Sequence, residues 1–379
     1  MIQTFERNEY FGKLTYDLET DTINVLYDDC INKEASQKFL SAPTNVFFEL
    51  TNVCNLRCSH CFNGEIKSNE NLDVNEWKQI IDQISNMKVF YVKITGGEPF
   101  LYPGLFELLE YLDTVHLNYI IYTNGTYITQ NLEKLVNLQH LMTIRVSLEG
   151  TKAINDNIRG DGMFDTVIDA IRLLESKGVP CSINYTINRV NYHLLSELED
   201  YLLNECELNI PIHLGFVKHA GNSLTNKEIC FFDSIEYNHV IKHLETLLEN
   251  SSLIEPLYML PEYYYEIFGD HFGCPAAQTS MVIKSNGNIV PCGLLPETDL
   301  TVCGNIKDES LVSVWNSNKM NVYRKLIPPT RCTSCEEFLS NCTGGCRANA
   351  YNISGNIQGN DINCDVYKSL LSRKKSSHV

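Results

Sequence analysis

Glu49-Leu-Thr-Asn-Val-Cys54-Asn-Leu-Arg-Cys58-Ser-His-Cys61-Phe62 sets three cysteines in the spacing CxxxCxxC directly after an apolar run, Val46 to Leu50. The run reads as a short buried strand. The cysteines therefore leave the end of a strand, where open and barrel α/β proteins place their chemistry. Thiolates are the usual ligands of iron–sulfur clusters, and three of them cannot fill a four-iron cube. The iron left open is a place where a small molecule can bind and receive an electron. Taken alone, the spacing would also suit half of a zinc site.

A second stretch follows in order. Val89-Phe-Tyr-Val-Lys-Ile94 runs into Thr95-Gly-Gly-Glu-Pro99. The glycines let the backbone approach a ligand closely, and Pro99 restricts the residue before it and ends the strand. Between the two stretches, Asp73 and Glu76 form a capping box ahead of Trp77, Ile80, Ile81 and Ile84 at helical spacing. Strand-like runs recur at Tyr119–Tyr122, Ile144–Leu148, Ser182–Ile187 and Ile212–Val217, with amphipathic segments between them. Six β/α units from about residue 45 to residue 250 predict a parallel sheet with crossover helices.

On these residues the chain resembles the radical S-adenosylmethionine (SAM) enzymes. The resemblance implies an α/β fold, a partial (β/α)6 barrel rather than a closed eight-stranded one, with a [4Fe-4S] cluster on Cys54, Cys58 and Cys61. It also implies that Gly96, Gly97 and Glu98 bind near the amino group of SAM. In Arg145-Val-Ser-Leu-Glu-Gly-Thr, Ser147 would meet the ribose or carboxylate. In Asn155-Asp-Asn-Ile-Arg-Gly160, Arg159 would pair with the SAM carboxylate, a role suited to its fixed fork of donors. Asn124, in Tyr122-Thr-Asn-Gly125, would lie beside the cofactor, and His60 near its adenine. The bland alternatives are a polar strand residue for Ser147 and a solvated turn charge for Arg159.

The last third carries Cys274, then Gly287 with four residues between it and Cys292, then Cys332, Cys335, Cys342, Cys346 and Cys364. This resembles the cysteine-rich SPASM domain of radical SAM enzymes that mature peptides and proteins. The segment from Gly304 to Ser317 resembles that family's linker. The resemblance implies two auxiliary clusters, one on Cys332, Cys335, Cys342 and Cys364, the other on Cys274, Cys292 and Cys346. A fourth ligand for the second is missing at Pro275-Ala-Ala-Gln-Thr-Ser-Met, with Cys303 as the candidate to reach over. Cys30, Cys181, Cys206 and Cys230 read as core thiols.

Within that resemblance, residue 293 after Cys292 is Gly, where sulfatase maturases place an aspartate base, and residues 1–43 contain a predicted hairpin, Lys13–Asp17 with Thr22–Leu26. Both features favour a ribosomal-peptide maturase over a sulfatase maturase. A small-molecule radical SAM dehydrogenase shares every motif. A non-catalytic iron–sulfur electron carrier has no use for the SAM-binding residues. The expected organisation is 1–43 as an N-terminal extension, 44–255 as the barrel and 256–379 as the auxiliary-cluster domain. No residue is assigned as general base or hydrogen donor.

Composition bounds the rest. The 379 residues carry a net charge of -17 and fifteen cysteines. An acidic chain argues against nucleic-acid partners, which draw on clustered Lys and Arg. No stretch reaches the roughly 18 apolar residues of a membrane span, and the start shows no signal pattern. The expectation is a cytoplasmic enzyme whose cysteines serve clusters rather than disulfides. Its partners would be a peptide substrate and a reducing protein such as flavodoxin or ferredoxin.

Overall fold

The computed structural model describes residues 4–17, 22–27, 39–64, 70–226, 228–230, 234–248, 250–254, 274–325, 329–336, 344–362 and 364. At the N-terminus, β1 (Thr4–Glu9), β2 (Gly12–Asp17) and β3 (Thr22–Tyr27) form an antiparallel meander. The expected hairpin is present as β2 and β3, with Lys13 opposite Leu26. A third strand, β1, joins it although its sequence, TFERNE, lacks apolar alternation. Tertiary contacts explain this strand. Arg7 is buried and donates to Ala42 O (2.7 Å), Pro43 O (2.9 Å) and Lys88 O (3.1 Å), which ties β1 to the base of the barrel. On the next strand Leu14 and Tyr16 are fully buried, and Tyr16 stacks on Phe90 at 5.5 Å and on Tyr91 at 5.4 Å.

Six strands then follow in chain order, each parallel to the last: β4 (Asn45–Glu49), β5 (Tyr91–Thr95), β6 (Asn118–Thr123), β7 (Leu141–Ser147), β8 (Cys181–Ile187) and β9 (Ile212–Phe216). Between them run α1 (Val74–Asn86), α2 (Leu105–Thr114), α3 (Ile128–Leu135), α4 (Lys152–Arg159), α5 (Met163–Ser176) and α6 (Leu195–Asn204), and α7 (Ser234–Leu248) follows β9. The capping box of α1 is present: Asp73 Oδ1 accepts from Glu76 N, and Glu76 Oε2 accepts from Asp73 N, both at 2.8 Å. Its Trp77, Ile80, Ile81 and Ile84 are fully buried, each side chain contributing about 1.5–3 kcal/mol by leaving water.

The sheet is wider than the six predicted strands. From the last third, β10 (Ser280–Ile283) pairs parallel with β4, and β11 (Asn288–Val290) and β12 (Gly304–Asn305) continue antiparallel, giving the order β12-β11-β10-β4-β5-β6-β7-β8-β9. An uncovered β4 edge would present unpaired backbone groups. Residues 280–283 are buried throughout, as a strand inside a sheet requires. The segment from Gly304 then forms α8 (Leu311–Trp315) and α9 (Asn318–Arg324), anchored where Trp315 Nε1 donates to Leu40 O at 2.8 Å. A last helix, α10, spans Arg347–Ser354. Among the described residues, no helix is long and apolar enough to cross a membrane.

Candidate active site

The loop leaving β4 bears Cys54, Cys58 and Cys61, all partly buried. It has no regular structure and is held from three sides. Gly97 N donates to Thr51 O (2.6 Å) and Glu98 N to Val53 O (2.8 Å). From α4, Ile158 O accepts from Ser59 N at 3.0 Å. Beyond β9, Asn222 donates its backbone N–H to Cys61 O and its Nδ2 to Cys58 O, both at 2.9 Å. Asn222 escaped the sequence reading because nothing local marks it; closure of the barrel brings it there.

Gly96 and Gly97 owe their identity to this docking. A Cβ at Gly96 would lie 2.5 Å from Thr51 O, and one at Gly97 2.2 Å from Val53 O. The sequence reading gave both glycines to close approach of a ligand. In the structure the close approach is to the cysteine loop itself. Glu98 is fully buried and accepts from Thr123 Oγ1 (2.8 Å), Asn124 N (2.9 Å) and Phe100 N (3.2 Å), which fastens the end of β5 to the end of β6. Burial pushes its carboxyl up to about 7 against the pull of these donors.

N–H groups surround the thiols. Leu56 N lies 3.4 Å and Asn124 Nδ2 4.0 Å from Cys54 Sγ, and Arg159 Nη1 lies 3.8 Å from Cys58 Sγ. Burial pushes the Cys58 thiol up to about 11, with Arg159 pulling the other way. Donors of this kind stabilise a thiolate and tune a cluster bound to it.

Arg159 has a partner that the sequence reading did not place. Glu149, just past β7 and fully buried, accepts from Arg159 Nη2 at 2.5 Å and from Thr186 N at 2.8 Å, and it lies 3.3 Å from His60 Nε2. Burial alone would raise its carboxyl, but His60 and Arg159 outweigh that and hold it down at about 2. A carboxylate ending an apolar strand needs a counter-ion, and that was the available signal. Around this network Ser59 Oγ, His60 Nδ1 and Arg159 Nε are buried without a hydrogen-bond partner among the described residues. Such atoms cost about 1–3 kcal/mol each, so the site fits a polar ligand that meets them. Ser147 ends β7 opposite Asn184.

The second set of cysteines is gathered from distant segments. Cys274, Cys292 and Cys346 stand close enough to perturb one another. Burial chiefly pushes Cys274 up to about 11 and Cys292 to about 12; Cys346 adds to both, and Cys274 adds to Cys292. Cys346 caps α10, its Sγ accepting from Asn349 N at 3.5 Å. Cys303 does not join them. It is buried, its thiol donates to Thr301 O at 3.8 Å, and its charged neighbours are Lys319 and Arg324. Backbone contacts draw the remaining segments together: Arg331 N to Asn360 Oδ1 (3.3 Å), Cys335 N to Cys332 O (3.1 Å), Cys346 N to Asp361 Oδ2 (2.6 Å) and Cys364 N to Asp361 O (3.1 Å). Cys342 lies outside the described residues.

The segments that carry the two cysteine sets approach each other beside Cys61 and Cys292. A Cβ on Gly293, next to Cys292, would lie 3.8 Å from the ring of Phe62, next to Cys61, and 2.8 Å from Glu49 Oε1. Glu49 is itself paired in the interior with Lys284, at 2.7 and 2.9 Å. A side chain at 293 would crowd that pair and displace the Glu49 carboxylate. Among the described residues, no three His, Cys, Asp or Glu side chains close tightly enough to hold a single metal ion. Zinc keeps its sulfurs about 2.3 Å from the metal, whereas a cube spreads them wider, and the donors here are soft thiols.

Strand order, cysteine loop and auxiliary cysteines define a radical SAM enzyme with a C-terminal SPASM domain, and the chain belongs to that class. The radical SAM superfamily model matches residues 48–202, and the SPASM iron–sulfur cluster-binding domain matches 274–337. Its cofactors are accordingly SAM and iron–sulfur clusters. The chain is 26% identical over 357 residues to an AdoMet-dependent heme synthase of Methanosarcina barkeri, covering 86% of this chain and 97% of that protein. It is 26% identical over 358 residues to the mycofactocin maturase MftC of Mycobacterium tuberculosis, covering 91% and 89%. Its fold matches Streptococcus suis SuiB, solved with its precursor peptide SuiA, at a TM-score of 0.77 and 19% identity, over 95% of this chain and 98% of that one.

Proposed function

We infer that the chain modifies a peptide, drawing a hydrogen atom from one of its residues and closing a thioether, carbon–carbon or related bond. Cys54, Cys58 and Cys61 would hold the cluster, which would supply the single electron that reductive cleavage of SAM requires. Asn124 and Arg159 aim N–H groups at the thiols that hold it. Ser59, His60 and Arg159 offer polar atoms to SAM, while Glu149 holds Arg159 and His60 in place. Ser147 and the Gly96–Glu98 backbone border the same space. Cys274, Cys292 and Cys346 would hold a second cluster, and Cys332, Cys335, Cys342 and Cys364 a third. We keep the division at residues 43 and 255, a flavodoxin or ferredoxin as reductant, and a cytoplasmic location as parts of this reading.

The observation that carries it is the approach of Gly293 to Phe62. It supports an electron acceptor held near the electron donor, as an oxidative bond closure needs. A second reading, a small-molecule substrate, is favoured by the heme synthase relative at the same 26% identity as the maturase. The test is anaerobic reconstitution followed by SAM and dithionite, with and without peptides encoded beside the gene. Release of 5′-deoxyadenosine and a peptide lighter by two hydrogen atoms support the proposal. Intact clusters with no 5′-deoxyadenosine defeat it, and 5′-deoxyadenosine with every such peptide unchanged turns the reading to a small molecule.

A further inference from the structure

One short loop after β9 reaches both cysteine trios. Its far end clasps the first: Asn222 donates to Cys58 O and Cys61 O, and a Cβ on Gly221 would lie 2.4 Å from Cys61 O. Its near end is fastened to the second through α10. His219 N donates to Asn349 Oδ1 at 3.2 Å, and Asn349 N in turn donates to Cys346 Sγ at 3.5 Å. Asn352 Nδ2 donates to His219 O at 2.8 Å and, just past Cys292, to Leu294 O at 2.9 Å. Within the loop, Lys218 O accepts from Ala220 N at 2.8 Å and from Oγ of the buried Ser223. The backbone of Lys218 is therefore fixed beside the segments that carry Cys292 and Cys346.

Lys218 is half-buried, and its side chain makes no hydrogen bond or ion pair among the described residues. A cation held there needs an anion nearby to offset its partial desolvation. Its charge falls on the thiols: it opposes the rise that burial imposes on Cys274 and Cys346, and Arg347 does the same at Cys274. Arg347 Nη1 donates to Ile357 O at 3.2 Å, while its Nε and Nη2 are buried without a hydrogen-bond partner among the described residues. Lys284 is a third cation, but Glu49 already holds it in an ion pair. Asp361, whose Oδ2 accepts from Cys346 N, acts on that thiol in the opposite sense. Soft thiols with cations in excess around them fit an anionic iron–sulfur cluster, whose potential follows net charge, hydrogen bonds to sulfur and exposure.

We propose that Lys218 sets the reduction potential of a cluster held by Cys274, Cys292 and Cys346, raising it above the value that a neutral side chain would give. This rests on the reading that the trio holds a cluster, and it names a residue that suits the site to electron uptake. Reduction adds negative charge, and a fixed cation close by favours the more negative state. The loop thereby joins two tasks in one short segment. Lys218 sets the charge at one trio, and Asn222 braces the other.

The test is a redox titration of the anaerobically reconstituted full chain, followed by electron paramagnetic resonance, with dithionite as the electron source and mediator dyes. The reduced signal lost in Cys58→Ala marks the first cluster, and the one lost in Cys292→Ala marks the second. Lys218→Met should make reduction of the second about tenfold less favourable, a shift of about 59 mV to lower potential for one electron, with iron content unchanged. Lys218→Arg should keep the parent value, and neither variant should move the first signal. A second signal that still titrates at the parent potential in Lys218→Met overturns the proposal. So does an equal shift of both signals, because a displaced loop rather than a local charge would then be the cause. Should Lys218→Met lose iron, Lys218→Gln takes its place in the titration; iron lost from Lys218→Arg as well overturns the charge role, since the charge is then kept without the site. A Cys292→Ala protein with every signal and all its iron defeats the cluster reading itself, a result told apart because it involves no change at Lys218.

Discussion

The two cysteine trios are built in opposite ways. Cys54, Cys58 and Cys61 lie on one loop of eight residues, and tertiary structure adds only the clasps from Gly97, Ile158 and Asn222. Cys274, Cys292 and Cys346 are 72 residues apart from first to last and meet only because β10 joins β4 and α10 packs against the turn after β9, where His219 N donates to Asn349 Oδ1 at 3.2 Å. The first trio has N–H donors from Arg159 and Asn124, as suits a cluster that must give up an electron beside a cofactor. The second has a cationic surround, in which Lys218, Lys284 and Arg347 each oppose the rise that burial imposes on one or more of its thiols. A local motif is robust to sequence drift elsewhere, whereas an assembled one fails if any of its supports is lost.

The largest expected effect separates the trios directly. Cys58→Ala should cut 5′-deoxyadenosine release below about one per cent of the parent enzyme. Cys292→Ala should retain SAM cleavage while losing modified product; chromatography of both products checks this, and loss of cleavage in both variants would erase the distinction. Glu149→Ala removes the anion between Arg159 and His60 and should cost about 3–5 kcal/mol in a denaturant titration, the range for breaking a buried pair. The stability that Glu149 contributes is present above its unfolded value of 4.5 and is lost as pH falls towards about 2, because its folded pKa is depressed.

Smaller effects sharpen the account of the supports. Gly97→Ala forces a methyl against Val53 O and should destabilise by about 1–3 kcal/mol, with lower iron content after reconstitution; a neutral result would mean that the loop moves freely. Glu98 behaves oppositely to Glu149. Its raised pKa means that its contribution is full below 4.5 and shrinks as pH rises through about 7. Glu98→Gln should flatten that part of the stability profile, measured as denaturation midpoint against pH. Least of all, Cys303→Ala should leave cluster iron unchanged, since that thiol stands apart from the second trio; iron loss on substitution would return Cys303 to the ligand set.

Much of this site was legible in the chain. The CxxxCxxC loop, the GGEP turn, the capping box of α1 and the six strand runs are short-range patterns, in which a handful of neighbours decides geometry. Glu149, Asn222 and β10 were not, and the glycines of GGEP were legible in position but not in purpose. Glu149 is visible as a residue but not as a partner until β7 and α4 bring Arg159 to it.

The sequence by itself determined the class of cofactor, the parallel strand order and which cysteines are candidates for iron, because ligand spacing and apolar periodicity are written along the chain. Only the tertiary structure decided which thiols share a neighbourhood and which carboxylate holds Arg159. Those facts depend on the register between strands and on charges many residues apart that meet only when the barrel is assembled.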